Sequence, residues 1–357
     1  MGRQPLAIHL PDWQGGNPYQ QLLADGIRQA GWRVDFSNFP DAPFPLNSVI
    51  ASSSEATAIH IHWINPYIER IMWSGSLPRF LVKSLLMMLD ILVVRLRGKR
   101  VTWTVHNRIS HESPNPRREA FLRRLIARGA SRLIFHSEGA RNTFREEVAN
   151  VPLNKSSVIP HGNYIGVYPQ NNTIAHQLAD KFGITDKHMT VLFFGAVRRY
   201  KGLPRLIEAF RQADDPDLRL VIAGKPHEYD LRNEIEIAAS KDPRIQLYLA
   251  HIPEQEVAPL FALADIVALP FEQTLTSGSV LLAMSLGKAL LLPANARALD
   301  TADQDGAPFY DNEKQLVSLL YNLSSQDLCA MGKTNLHKAI QLGWNTIGAQ
   351  TANQYAK

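Results

Sequence analysis

Short apolar runs alternate with helical patterns along almost the whole of this chain, and they do so in two series. The first series is 6–10, 58–63, 101–105, 132–135 and 157–159; the second is 191–194, 218–223, 245–249, 266–269 and 289–292. Strands separated by helices cannot pair as hairpins. They lie parallel, with crossover helices covering both faces of the sheet. Between the two series, 164–178 is mostly polar and aperiodic and reads as a linker. Alternation on both sides of a linker predicts an α/β chain of two doubly wound, Rossmann-like domains facing each other across a cleft. A length of 357 residues leaves room for a sizeable core in each. In the first series, polar residues collect at the carboxyl ends of the runs, at His106-Asn107, His136-Ser137 and His161-Gly162-Asn163. In an open parallel sheet that edge is where ligands bind.

One junction in the second series carries more chemistry than the rest. The run ending Phe193-Phe194 breaks at Gly195, passes Arg198, Arg199 and Lys201, and enters an amphipathic helix. A basic turn at a helix amino terminus suits a diphosphate: backbone N–H groups and the helix dipole favour the anion, and Arg and Lys add full charges. The same residues also fit an ordinary turn with solvated arginines. Thr276-Ser277-Gly278-Ser279 opens a later helix and offers a second anion site, or an N-cap by Ser277 or Ser279, or both. Gly15 and Gly16 follow the first run, where glycine lets the backbone approach a ligand. His106, Asn107, His111 and Glu112 form a polar cluster after the third.

Charge narrows the partners. Residues 1–165 hold 20 Lys/Arg against 12 Asp/Glu, and the remainder holds 18 against 21. The excess lies mainly between Arg70 and Arg132, around the apolar stretch 76–96. That stretch contains Arg79, Lys83, Asp90 and Arg95, too many charges for a transmembrane span. It reads either as an amphipathic basic face for anionic lipid or as a core-facing helix with snorkelling cations; the regional charge favours the membrane. The arginines lack interleaved aromatics, so no nucleic acid is expected. Cys329 is the single cysteine, which excludes a disulfide framework and a cysteine zinc site. Asp215-Pro216-Asp217 reads as a solvated turn, and no metal is expected. The first residues lack the apolar core of a signal peptide, and the chain reads as cytoplasmic.

Four segments together go further: FFGAVRRYKGLPRLIEAF, LVIAGKP, IPEQEVAPLFALADIVALPFE and TSGSVLLAMSLGKALLLP. In this order and spacing they resemble the donor-nucleotide domain of GT-B glycosyltransferases, close to glycosyltransferase family four. HIHW, TVHN and HGN in the first half resemble bacterial enzymes that build exopolysaccharide or glycolipid repeat units. The resemblance implies an acceptor and membrane-facing domain over 1–165, a donor domain over 179–340, and a last helix, 341–357, crossing back to the first domain. It implies a hexosyltransferase using a UDP- or GDP-linked sugar and no cofactor. The implied acceptor is a glycan on a polyprenyl diphosphate, met on the cytoplasmic face of the cell membrane.

The resemblance also ranks site residues. It implies His106 beside the transferred sugar, with Asn107, His111 and His161 in support. In some inverting GT-B enzymes the base lies in the loop after the first strand, so Asp12 is a base candidate beside His106 and Glu112; an Asx turn is its alternative. Retaining members carry two glutamates eight positions apart, whereas this chain has Thr274 and Leu282, with Glu272 as a substitute for the first. Ala196 replaces the family's arginine, for which Arg198 or Arg199 stands in. The missing carboxylates favour inversion. They also keep open a degenerate glycan-binding or scaffold subunit, beside a nucleotide-sugar epimerase of the same architecture.

Overall fold

The computed structural model describes residues 4–15, 17–107, 109, 113, 115–271 and 277–356. The chain forms two compact units, one of 1–162 with 342–357 and one of 163–341.

In the first unit the elements run β1 (Leu6–Leu10), α1 (Tyr19–Gln29), β2 (Arg33–Phe36), α2 (Pro45–Ser52), β3 (Ala56–Ile61), α3 (Asn65–Met72) and α4 (Leu77–Leu96). They continue with β4 (Arg100–Thr104), α5 (Pro116–Gly129), β5 (Arg132–Phe135), α6 (Glu138–Glu147) and β6 (Ser156–Val158). The sheet is parallel, in the order β2-β1-β3-β4-β5-β6. Alternation along β1 sorts its two faces: Leu6, Ile8 and Leu10 join one core cluster and Ala7 the other. β2 is an edge strand in which only Val34 is buried, so its sequence carries almost no apolar signal and the strand was not expected.

The second unit runs α7 (Asn172–Phe182), β7 (Met189–Phe194), α8 (Leu203–Gln212), β8 (Leu218–Ala223), α9 (Tyr229–Ala239), β9 (Ile245–Tyr248) and α10 (Glu254–Ala262). It ends with β10 (Ile266–Ala268), α11 (Gly278–Ser285), β11 (Ala289–Pro293), β12 (Phe309–Tyr310), α12 (Glu313–Tyr321) and α13 (Leu328–Ile340). Its sheet is also parallel, in the order β12-β11-β10-β7-β8-β9. Helix α7 corrects the linker reading of 164–178. Asn171 caps it through Ile174 N–H at 3.1 Å, and only Leu178 and Phe182 are buried along it. A helix with so narrow an apolar stripe looks aperiodic in sequence.

The last helix, α14 (Trp344–Ala356), belongs to the first unit and packs on α1. Gly26 and Gly348 let the two backbones touch. A Cβ on Gly348 would sit 2.1 Å from the Gly26 carbonyl carbon, and one on Gly26 would sit 2.2 Å from the Trp344 oxygen. Tyr355 and Ile347 thereby enter the core beside Tyr19, Leu23 and Ile27.

Candidate functional site

In the second unit, β7 delivers the chain to Gly195, whose φ of +126° lies in the glycine-favoured region. A side chain there has no room: a Cβ would stand 2.9 Å from Ser279 Oγ and 3.1 Å from Lys201 Nζ. Those two polar groups, from a turn before α8 and from the first turn of α11, therefore converge over one glycine. Ser277 caps α11, accepting from Val280 N–H at 3.3 Å. The amides of Gly278 and Ser279 have no intrahelical acceptor, as expected in a first turn.

Lys201 is the cation of this cradle. Among the described residues no carboxylate pairs with it, and burial, with the Arg198 charge second, pulls its ammonium down to about 8. A cation stripped of water and left without a counter-ion favours an incoming anion. Arg198 is half-buried next to it. Arg199, grouped with them in sequence, is exposed and ion-paired to Glu234 at 3.0 Å and Glu228 at 3.7 Å. Its charge is directed at α9, so the basic turn supplies Lys201 and Arg198 rather than three cations. Glu272 and Thr276 lie outside the described residues.

In the first unit, the carboxyl edge of the sheet gathers histidines that are all buried: His9, His60, His62, His106, His136 and His161. His9 and His60 are register partners on β1 and β3. A hydrogen-bonded chain links them through the last helix. Thr104 Oγ1 meets His60 Nε2 at 2.7 Å, and His60 Nδ1 meets the Tyr355 hydroxyl at 2.6 Å. The same hydroxyl meets His9 Nε2 at 3.0 Å, and His9 Nδ1 meets His62 Nε2 at 3.1 Å. One nitrogen from each of His9, His60 and His62 lies within 4.8 Å of the others, near enough to share an ion, yet hydrogen bonds already employ both nitrogens of His9 and His60 and Nε2 of His62.

A second group surrounds Tyr19. His161 lies 4.7 Å and His106 5.1 Å from the Tyr19 ring, and His106 stacks on Trp63 at 4.9 Å. His161 Nδ1–H donates to Gly162 O at 2.7 Å, and His136 Nδ1–H donates to Ile159 O at 2.9 Å. Burial holds His161 at about 3 and His136 at about 4. Burial also holds His106 well below its ordinary value, with His136 and His161 adding to the effect. His106 is thus a neutral imidazole at neutral pH, able to accept a proton or to hydrogen-bond a hydroxyl.

The other expected residues fall elsewhere. Asp12 is exposed, and its carboxylate accepts from Gln14 N–H at 3.4 Å and Gln14 Nε2 at 2.9 Å, the arrangement of an Asx turn. Gly15 faces open space. Asn107 contributes its carbonyl, which accepts from Arg123 at 2.8 Å. Gly16, His111 and Glu112 lie outside the described residues. Arg123 itself corrects the reading of a continuous basic surface: it is 2% exposed and paired to the buried Glu119 at 2.7 Å. Arg118 and Arg124 likewise donate to backbone oxygens, those of Met72 and Val148. These arginines hold loops, and a charge count alone cannot tell that use from a lipid-facing one.

Known structures share this architecture over the whole chain. The Anabaena protein HepE, solved in complex with UDP, matches with a TM-score of 0.75 at 15% identity, covering 99% of this chain and 100% of that one. Sucrose-phosphate synthase from Thermosynechococcus elongatus matches with a TM-score of 0.75 at 16% identity, over 99% and 98%. The chain has the GT-B glycosyltransferase fold.

Residues 188–323 match the model of glycosyl transferases group 1, a span that holds Gly195, Lys201 and Ser279. In sequence, the chain is 28% identical over 297 residues to the GDP-mannose:glycolipid 4-beta-D-mannosyltransferase of Xanthomonas campestris pv. campestris, covering 81% of this chain and 73% of that protein.

Proposed function

We propose that this protein transfers a hexose from a UDP- or GDP-linked sugar to a glycan hydroxyl on a lipid-linked acceptor. The observation that carries the reading is the desolvated Lys201, paired with no carboxylate among the described residues, over Gly195 and the α11 amino terminus. As the glycosidic C–O bond breaks, its electron pair stays on the departing nucleotide diphosphate. A fixed cation there stabilises the transition state more than the ground state. The glycolipid named for the Xanthomonas relative supports a lipid-linked acceptor, here a polyprenyl diphosphate in exopolysaccharide or glycolipid synthesis.

Displacement is direct and inverting in this reading. Leu282 is buried in α11 where retaining members carry a carboxylate, and the neutral His106 takes the acceptor proton. Transfer uses neither metal nor cofactor. The protein works as a peripheral protein on the cytoplasmic face of the cell membrane; among the described residues, no helix is long and apolar enough to cross it. A panel of UDP- and GDP-sugars with a polyprenyl-diphosphate disaccharide, in excess EDTA, tests the reading. One donor should raise the thermal midpoint and give a product of inverted anomeric configuration by NMR. A retained configuration, or activity abolished by EDTA and restored by magnesium, would overturn the corresponding part.

A further inference from the structure

The first unit holds a cavity of about 570 Å³ that none of the site residues above lines. Its size falls within the roughly 300–1,000 Å³ of small-molecule sites. Phe39, Pro43, Tyr67, Ile71, Leu86 and Met87 supply apolar walls. These walls are held in place. Phe39 stacks on Tyr67 at 5.2 Å, and the Tyr67 hydroxyl donates to Asp90 at 3.0 Å. Asp90 is buried and also accepts from the Leu46 and Asn47 amides at 2.9 and 3.0 Å, which fixes the start of α2 against α4. The cavity therefore exists without an occupant to shape it.

Its charged members are at the surface. Arg70 pairs with Asp41, and Lys83 donates to the Arg70 carbonyl at 3.0 Å, with Glu69 beside them. The mouth thus carries both signs and stays wet, while the interior is hydrocarbon. One wall adjoins an apolar surface. Along α4, Leu77, Leu81, Val82, Leu85, Leu89 and Leu92 are exposed. At 100° per residue Leu86 lies about 40° beyond Val82 on the helix circumference. Leu86 is half-buried between that stripe and the buried Met87, so the stripe and the cavity share an edge.

We infer that this cavity takes the hydrocarbon chain of the lipid-linked acceptor as the chain leaves the membrane along α4. The inference rests on the glycolipid reading above. It assigns the acceptor's lipid, rather than its glycan, to the cavity walled by Phe39, Pro43, Tyr67, Ile71, Leu86 and Met87.

Dodecyl phosphate below its micellar concentration is the probe, measured by calorimetry on the full chain with no vesicles present. Ala42→Trp fills the cavity from a half-buried loop position, and Leu86→Trp fills it from α4. The wild type should bind dodecyl phosphate much more tightly than hexyl phosphate, by about fourfold per buried methylene. Both variants should lose at least tenfold of the dodecyl affinity and keep the nucleotide affinity of the wild type. Equal dodecyl binding by wild type and variants, or no chain-length dependence, would overturn the proposal. Lauroyl lysophosphatidylglycerol, matched to the probe in chain length and kept below its micellar concentration, separates the sources. Failure to compete supports the acceptor chain, and competition at equal affinity would give the cavity to bulk phospholipid instead. Because the probe reads binding alone, absent transferase activity with intact probe binding would count against the functional reading and not against the cavity.

Discussion

Lys201 condenses the chemistry of the second unit into one side chain. Replacing it with Ala removes a charge-assisted contact worth about 1.5–3 kcal/mol, so nucleotide affinity should fall tenfold to roughly a hundredfold by calorimetry. Its titration adds a sign. In the proposed reading the ammonium binds the diphosphate, and burial draws it down to about 8 in the free protein. Affinity should therefore hold near pH 7 and decline as pH rises beyond 8, and the decline should be absent in Lys201→Ala. An affinity that ignores both the substitution and the pH would move the diphosphate elsewhere. The sequence displayed this residue because glycine, basic turn and helix start are contiguous. It did not display the partition between Lys201 and Arg199, because Glu228 and Glu234, which claim Arg199, come from α9 and the loop before it. The histidine chain was hidden for a stronger reason: its members come from β1, β3, β4 and α14, and no local pattern joins them.

At the scale of elements, α4 is the helix whose two faces disagree. Phe80, Met87, Ile91 and Val94 are buried, while Leu85 is 60% and Leu96 76% exposed. Changing Leu81, Leu85 and Leu89 to Ser should abolish co-sedimentation with phosphatidylglycerol vesicles. The thermal midpoint should fall only modestly, since each exposed substitution usually stays within about 0.5 kcal/mol. Equal partitioning of variant and wild type would show that the stripe does not meet lipid. Burial of Phe80, Met87, Ile91 and Val94 bears out the core-facing reading of this segment, and the exposed leucines give the lipid reading a face on which it can be tested. The alternation of strands and helices was legible throughout, since parallel strands are buried on both faces and read as continuous apolar runs. What escaped were β2 and β12 at the sheet edges, too short or too polar to stand out, and α7 with its two buried side chains.

For the whole molecule, the six buried histidines make acid the sensitive variable. Folding lowers their affinity for protons: His9 and His161 sit at about 3, His136 at about 4, and His60, His62 and His106 well below 6.5. The unfolded chain takes up these protons first, so the stability they contribute is complete above pH 6.5 and is lost as pH falls toward 4. Each costs up to ~1.4 kcal/mol per pH unit in that window, against a total stability of roughly 5–15 kcal/mol. None of the second unit's histidines is buried, so the first unit should unfold first. All six tryptophans also lie in the first unit, so tryptophan emission should change at a higher pH than the full far-ultraviolet signal. Coincident transitions would show that the histidines do not govern acid unfolding. The same unit is built from two separate pieces of chain, with Tyr355 and Trp344 supplied by residues 342–357. A ribosome that has made residues 1–341 has therefore synthesised everything the second unit needs, while the first still lacks the hydroxyl that joins His9 to His60. The half of the protein that begins first is the one completed last, and a chain interrupted before Trp344 would emerge with the residues of its Lys201 cradle all present and its histidine edge unmade.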